Sequence, residues 1–556
     1  MLNFITNYTW ILLIPAILVW VARAVIRTNG ALHILQLEGY KSARFLRWLG
    51  NNFTKMFDIK ELIVIADLLV LALIAYFFNV KALTLTIFIL LWIASEVYFI
   101  ITYKPIKAKK PLVYTPRASR LFRLTIFLII GSVMVVISQS GGLSLWRLNG
   151  DQIYFQFLVL FTFTFVLNQL AAINLTLANL LIYPVERSIN AGYFRQAKER
   201  IKKLKPKVIG ITGSYGKTST KYILQKILSQ KFNSLMTPDS YNTPMGICKV
   251  INGQLKPEHE IFIVEMGAYK RGEIMELCEL AQPEIGILTA VGPQHLERFK
   301  TIDNITKTKY ELIESLPQNG IAVFNNDNDI CSSLADKTTI KVVRYGIDKS
   351  DDNVKLTAKN IQNTSRGLTF TVEETSGETA QFQTKLLGKN SVYNILAATA
   401  VALECGMTLD EVSRAVRMLE PIPHRLYLMP GGGDVTVIDD GFNANPVGAR
   451  AALEVLRSFE KGRKILITPG MVELGEVEFK ENKIFGTEAA KVCDFVILVG
   501  PMRTKPILEG LKDADFPEEK IIITKSLAEA SERMREIVKA GDVVLFENDL
   551  PDNYNE

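Results

Sequence analysis

From Leu2 to Ala22 the chain carries no charge, and a run of 21 uncharged, mostly apolar residues this long constrains its own fold. Out of water, its backbone amides must pair within the segment, which selects a helix. At about 1.5 Å per residue such a helix reaches across a hydrocarbon core of about 30 Å. Four further runs read alike: Leu62 to Val80, Ala82 to Tyr103, Leu124 to Trp146, and the uncharged stretch from Gln152 to Val185. Five membrane-spanning helices are therefore expected within a membrane domain of residues 1–186. A cleaved signal peptide is the competing explanation of the first run. It is disfavoured by the lack of a basic segment ahead of it and of a small-residue cleavage site before Arg23.

The second and third runs are joined only by Asn79, Val80 and Lys81, which implies a helical hairpin. Arg23–Lys60 and Lys104–Arg123 are rich in Lys and Arg, whereas the other connections are not. The positive-inside rule then puts the N-terminus outside, and the basic loops and everything after Val185 in the cytoplasm. Asp67 and Glu96 fall inside the paired runs and are expected to make polar contacts near the cytoplasmic end. Ala31 to Gly50 interleaves apolar and basic residues at helical spacing, as an interfacial helix does.

Composition supports this segregation. An apolar share of 48% beside 22% charged residues, with a mean hydropathy of +0.17, is unusual for a single soluble core. The net charge of +7 gathers beside the apolar runs, in "KPIKAKK" and in the basic linker 187–205, which fits membrane lipid as a partner and argues against nucleic acid. The five cysteines have no metal-ligand spacing and read as reduced packing residues.

The segment "VIGITGSYGKTSTKYILQKIL" (Val208 to Leu228) changes character. A β-branched run ends in glycine and is followed by apolar residues at helical spacing, the setting of a phosphate-binding loop. Backbone N–H groups of Gly213, Ser214, Tyr215 and Gly216 at a helix N-terminus suit phosphate oxygens, Lys217 adds a cation, Thr218 can ligate Mg²⁺, and Ser219 follows in the loop. Position 211, where the Walker pattern has its first glycine, is Ile, so the loop is a variant. Glu265 ends the apolar strand "IFIVE"; by itself it would be a surface acid, but behind a phosphate loop it is placed to meet a metal.

G-x-T-G-x-x-G-K-T resembles the signature of the Mur ligases, ATP-dependent amide ligases of peptidoglycan stem-peptide synthesis. "TPDSYNTPMG" (Thr237 to Gly246), "IFIVEMGAYKRGEI" (Ile261 to Ile274), "GPQHLERF" (Gly292 to Phe299), "KTKYELIESLPQNGIAVFNNDND" (Lys307 to Asp329), "PIPHRL" (Pro421 to Leu426) and "VIDDGFNANP" (Val437 to Pro446) resemble its MurF-like branch. That branch adds D-Ala-D-Ala to UDP-N-acetylmuramoyl-tripeptide. The resemblance implies a P-loop central ATP-binding domain over 206–420 and a smaller, Rossmann-like α/β C-terminal domain over 421–556. It implies ATP and Mg²⁺ as cofactors, and an amino-acid or dipeptide amine and a muramoyl-peptide-like or lipid-linked carboxylate as substrates.

By the same resemblance His295 and a carbamoylated Lys309 join Glu265 and Thr218 as metal ligands. Asn325 and Asp327 lie near adenine, while Arg425 and Asp440 close over the nucleotide; Lys217, Glu265, His295, Lys309 and Arg425 carry the chemistry. Asn242, Thr243, Asn443 and Asn445 are expected at the substrate. The chain departs from the family where membrane runs replace the UDP-sugar domain, at "GKNSVYN", which keeps only Asn394 of an H-N-x-x-N element, and at "LFENDLPDNYNE".

An integral membrane ligase of cell-envelope synthesis, working through an acyl phosphate, is thus expected. A related ligase acting on a lipid-linked precursor or a poly-amino-acid polymer would share the chemistry. An ATP-driven transporter or sensor would share only the loop, and its ATP turnover would not depend on an acyl donor and an amine.

Overall fold

A computed structural model describes residues 2–53, 66, 69–70, 73, 81–105, 110–139, 150–347, 353–364, 367–430, 433–442 and 444–550. The chain divides into two compact units, Met1–Ile189 and Asn190–Glu556.

The described part of the first unit is helical: Leu2–Leu37, Ser42–Asn51, Lys81–Thr102, Pro116–Gln139, Gly150–Gln169 and Ala171–Leu204, the last crossing the division between units. Two of these stretches, Leu12–Leu37 and Pro116–Ser138, are long and apolar enough to cross a membrane. A third joins them if Val159–Gln169 and Ala171–Leu204, bent by 69°, form one span. Within the run Gln152–Val185 the helix is thus broken at Leu170. Thr86–Thr102 is a shorter apolar helix, and most of Leu62–Val80, including Asp67, lies outside the described residues.

Arg23 does not end the first helix. It sits inside Leu2–Leu37, 2% exposed, and pairs with the fully buried carboxylate of Glu96. The guanidinium also lies 4.8 Å from the ring centre of Phe99 and 5.2 Å from that of Phe165. A buried charge must find such partners, because desolvation costs several kcal/mol per ion. Ala31 to Gly50 is likewise not one interfacial helix: Ala31, Leu32, Ile34 and Leu35 are buried in the first helix, and Phe45 and Leu49 in the next.

The second unit holds two sheets. The larger runs β1 (Lys207–Thr212), β2 (Ser234–Met236), β3 (Ile261–Glu265), β4 (Ile285–Leu288), β5 (Ile321–Asn325), β6 (Lys341–Ile347), β7 (Leu356–Thr364), β8 (Gly367–Glu374) and β9 (Thr379–Thr384). In space the order is β2-β3-β1-β4-β5-β6-β7-β8-β9, parallel as far as β7 and antiparallel from β7 to β9. Strands β3, β4 and most of β1 are buried on both faces, as a parallel sheet covered by helices requires.

The smaller sheet joins β10 (Tyr427–Pro430), β11 (Thr436–Phe442), β12 (Lys464–Thr468), β13 (Phe495–Val499), β14 (Ile521–Thr524) and β15 (Val543–Asp549) in the order β10-β11-β15-β12-β13-β14. Only β10 is antiparallel. Ligands of such sheets collect beyond the carboxyl ends of the strands, where chain direction reverses between neighbouring connections.

Replacing Glu96 by Leu should leave the buried Arg23 without its carboxylate and destabilise the helical unit by about 3–5 kcal/mol. The double substitution Arg23→Met with Glu96→Leu removes both charges and should recover most of that loss. Thermal loss of helix ellipticity in detergent compares the single and double variants.

Candidate functional site

β1 delivers the chain into a turn that only glycine can make at two positions. Gly213 has φ 147° and Gly216 φ 80°, and a Cβ at either would come within 2.1 Å of Thr289 Oγ1 or 2.4 Å of Asn394 Oδ1. Ser214 N donates to the Ala290 carbonyl at 2.7 Å, and Ser214 Oγ to that of Gly292 at 2.9 Å, tying the turn to the segment after β4. Helix Lys217–Leu228 starts at the turn, so its unpaired N–H groups face the same space. Asn394, the retained residue of "GKNSVYN", accepts from Thr220 Oγ1 at 3.2 Å.

That space is a cavity of about 770 Å³. Its walls bring together Lys217, Glu265, His295 and Lys309 from the larger sheet with Arg425 and Asp440 from the start of the smaller one. Ser214, Tyr215, Gly216, Thr218 and Ser219 also line it, as do Asn242, Asn325, Asp327 and Asn445. Thr243 is not among the lining residues; its hydroxyl caps helix Pro244–Gly253. Asn445 caps helix Pro446–Arg457, accepting from Gly448 N at 2.9 Å. Asn443 lies outside the described residues.

Charge at the cavity is unusually concentrated. Lys217 Nζ donates to the carbonyls of Gly213 at 2.6 Å and Ser214 at 3.1 Å. Burial lowers its pKa to about 8, against the pull of Glu265. Glu265 is 2% exposed; Asn242 Nδ2 donates to its Oε1 at 3.1 Å, and Lys221 Nζ stands 3.1 Å from its Oε2. Burial works against ionisation of Glu265, but Lys221 and Lys217 outweigh it and hold the carboxyl below its ordinary value. Lys309 is 3% exposed, and burial followed by repulsion from Lys217 drives its amine strongly towards the neutral form.

Among the described residues no three His, Cys, Asp or Glu side chains are grouped closely enough to hold a metal. The donors expected from sequence are instead mixed: a hydroxyl, a carboxylate, an imidazole and a lysine. As an ammonium Lys309 would repel a cation, whereas as a carbamate it would supply oxygens to one. A carboxylate offers about four lone-pair sites, so Glu265, which meets Asn242 through Oε1 and Lys221 through Oε2, keeps acceptor capacity for a cation. The residues present therefore fit Mg²⁺ once Lys309 carries an anion.

Asn325 and Asp327 are held together, Asp327 N donating to Asn325 Oδ1 at 3.0 Å. Asp327 Oδ2 accepts from Ile347 N at 2.7 Å and Tyr393 Oη at 3.0 Å. Arg425 lies 4.5 Å from the Phe442 ring centre and donates to the Phe442 carbonyl at 3.1 Å. Asp440 accepts from Leu426 N at 3.1 Å, and burial raises its pKa to about 6 despite Arg425. Three residues outside the sequence motifs' expected roles matter as well. Lys221, one helical turn beyond Lys217, pairs with Glu265; Glu473, on the loop after β12, reaches His295; Glu547 stands beside Asp440 in the register of β11 and β15. Only Lys221 had a signal in the sequence, the repeat of lysine four positions on.

Comparisons with known proteins give the same pattern. Residues 211–402 match the family profile described as "Mur ligase middle domain", and residues 424–547 that of "Mur ligase, glutamate ligase domain". The UDP-N-acetylmuramoyl-tripeptide--D-alanyl-D-alanine ligase of Escherichia coli is 34% identical over 297 residues, 53% of this chain and 64% of that protein. The protein of the same name from Mycobacterium bovis is 32% identical over 358 residues, 61% of this chain and 69% of that one. The chain thus spans about two thirds of the length of these relatives. The solved MurF ligase of Thermotoga maritima in complex with ADP superposes with a TM-score of 0.57 at 28% identity, covering 65% of this chain and 80% of that one.

Glu547 makes a distinct prediction. Its carboxyl is 1% exposed and accepts from Thr468 Oγ1 at 3.0 Å; burial, with the nearby Asp440, raises its pKa to about 8 from 4.5. The folded form therefore holds the proton more tightly than the unfolded one. This contribution to stability is complete below about pH 4.5 and is lost as pH rises to about 8. Glu547→Gln should be more stable than the wild type at pH 8.5, on the order of 2–4 kcal/mol, with the gap closing towards pH 5. Apparent melting midpoints across that range check it.

Proposed function

The chain belongs to the Mur ligase family, and from that membership we propose that it is a MurF-like ligase of peptidoglycan precursor synthesis. The reaction joins the terminal carboxylate of a UDP-muramoyl-tripeptide to the amine of D-Ala-D-Ala, with ATP cleaved to ADP and phosphate. One observation carries this reading: a single cavity lined by a phosphate-binding turn, Glu265, His295 and Lys309 of one sheet and Arg425 and Asp440 of the other.

A carboxylate oxygen of the donor attacks the γ-phosphorus, ADP departs, and an acyl phosphate forms. The amine nitrogen then attacks the acyl carbon, phosphate leaves with the carboxylate oxygen, and the nitrogen gives up a proton. Two anions must first be brought together. The turn amides and Lys217 hold the phosphates, and Arg425 adds positive charge from the opposite wall. Thr218, Glu265, His295 and a carbamoylated Lys309 would hold Mg²⁺, which when bound screens the charge between phosphate and carboxylate. The strongly suppressed basicity of Lys309 supports carbamoylation, since only a neutral amine adds to carbon dioxide.

The apolar helices of the first unit are compatible with insertion, and we place the ligase at the cytoplasmic face of the plasma membrane, where ATP and the UDP-linked donor are. A role for the helices in holding a lipid-linked donor has no support in the relatives, whose named donor is UDP-linked.

Purified full-length protein should release ADP only when ATP, Mg²⁺, the UDP-linked tripeptide and D-Ala-D-Ala are all present. Lys217→Ala should lower amide formation by at least about 10²-fold. Steady ATP hydrolysis without either substrate would instead favour a motor or sensor.

A further inference from the structure

The loop that follows β12 is fixed firmly. Met471 and Leu474 are each 1% exposed and packed into the core of the smaller sheet. Met471 N donates to Asn482 Oδ1 at 2.9 Å, Asn482 Nδ2 to the Met471 carbonyl at 3.0 Å, and Asn548 Nδ2 to the Gly470 carbonyl at 2.6 Å. Between these anchors Glu473 adopts φ 65°, a conformation uncommon for a non-glycine residue, and is turned towards the larger sheet.

What it meets there is helix Leu296–Phe299 and the residue ahead of it. The Glu473 carbonyl accepts from Glu297 N at 3.2 Å, and Arg298 Nη2 donates to Glu473 Oε1 at 2.7 Å. The other carboxylate oxygen takes His295 Nδ1. Gly475, at φ 61°, lets the loop lie against this helix, where even a Cβ would stand 3.4 Å from the Glu297 backbone. His295 is held on another side by Tyr269, ring centres 4.8 Å apart, and Arg298 covers the same tyrosine at 4.4 Å. The imidazole therefore has little freedom. Since a carboxylate only accepts hydrogen bonds, Nδ1 must carry the proton, and Nε2 is left with its lone pair beside the cavity that His295 lines.

We propose that Glu473 is a positioning residue for the metal site: it fixes His295 as the Nδ1–H tautomer and so makes Nε2 a metal donor. This rests on the reading of His295 as a ligand of Mg²⁺. Carboxylates that hold ligating histidines in this way raise their basicity and set their orientation, and losing one typically costs 10–100-fold in metal affinity. Here the carboxylate belongs to the smaller sheet and the histidine to the larger. Docking of the two sheets and metal binding therefore favour each other, as linkage requires.

The test uses the full-length protein with Mn²⁺ as the probe and ADP present, bound metal being followed by the loss of the free-ion electron paramagnetic resonance signal. Glu473→Ala should weaken Mn²⁺ binding by about 10–100-fold. Glu473→Gln should restore part of the loss, because its amide oxygen still accepts from Nδ1–H. The wild type offers a check that needs no variant: with four histidines in the chain, imidazole nitrogen-15 spectra should show His295 protonated at Nδ1 and not at Nε2. An Nε2–H tautomer, or unchanged Mn²⁺ affinity in Glu473→Ala where His295→Ala weakens it, overturns the role of Glu473. Unchanged affinity in His295→Ala overturns the underlying metal assignment instead.

Discussion

One buried carboxylate, Glu265, is paired with the buried Lys221 and faces the charge of Lys217, with the buried Lys309 lining the same cavity, and that balance of charge governs the rest of the site. Lys221 and Lys217 hold the Glu265 carboxyl low, and burial, followed by repulsion from Lys217, suppresses the basicity of Lys309. Such an arrangement is unfavourable in an empty protein, because each buried cation costs desolvation energy and repels the others. It becomes favourable when anions arrive. A nucleotide phosphate and a substrate carboxylate are anions of the kind it can take, so the folded chain holds electrostatic work in reserve for its ligands.

The sheets explain how so many charged groups are held in place. On the larger sheet the phosphate turn and Glu265 stand at the carboxyl ends of β1 and β3, and His295 and Asn325 follow from β4 and β5. On the smaller sheet Asp440 lies in β11 and Glu473 on the loop after β12. Each side chain stands on a rigid strand end or on a loop anchored by buried neighbours. The cavity is therefore a product of two separately packed cores meeting, the second contributing Arg425 and Asp440 to its wall and Glu473 to the hold on His295.

Much of this was legible in the chain. A β-branched strand, glycines and a lysine announce the phosphate turn because the turn's φ angles exclude other residues at 213 and 216. The strands of the smaller sheet announce themselves as short apolar runs. Glu473 could not be found that way, since its role depends on a contact between residues 295 and 473, for which no local pattern exists. Arg23 misled for a related reason. A lone charge ordinarily ends an apolar span, yet here Glu96, 73 positions on, allows it to be buried. Thr243 carries a local role as well, its hydroxyl capping the helix that starts beside it.

In the proposed reaction ATP activates a carboxylate at this cavity and an amine completes the amide. Label the donor's terminal carboxylate with oxygen-18 and follow the released phosphate together with the amide. An acyl phosphate passes one carboxylate oxygen to phosphate for every amide made, so labelled phosphate and amide should appear in equal amounts. Amide formed alongside unlabelled phosphate would contradict the mechanism, and phosphate released without amide would contradict the ligase itself.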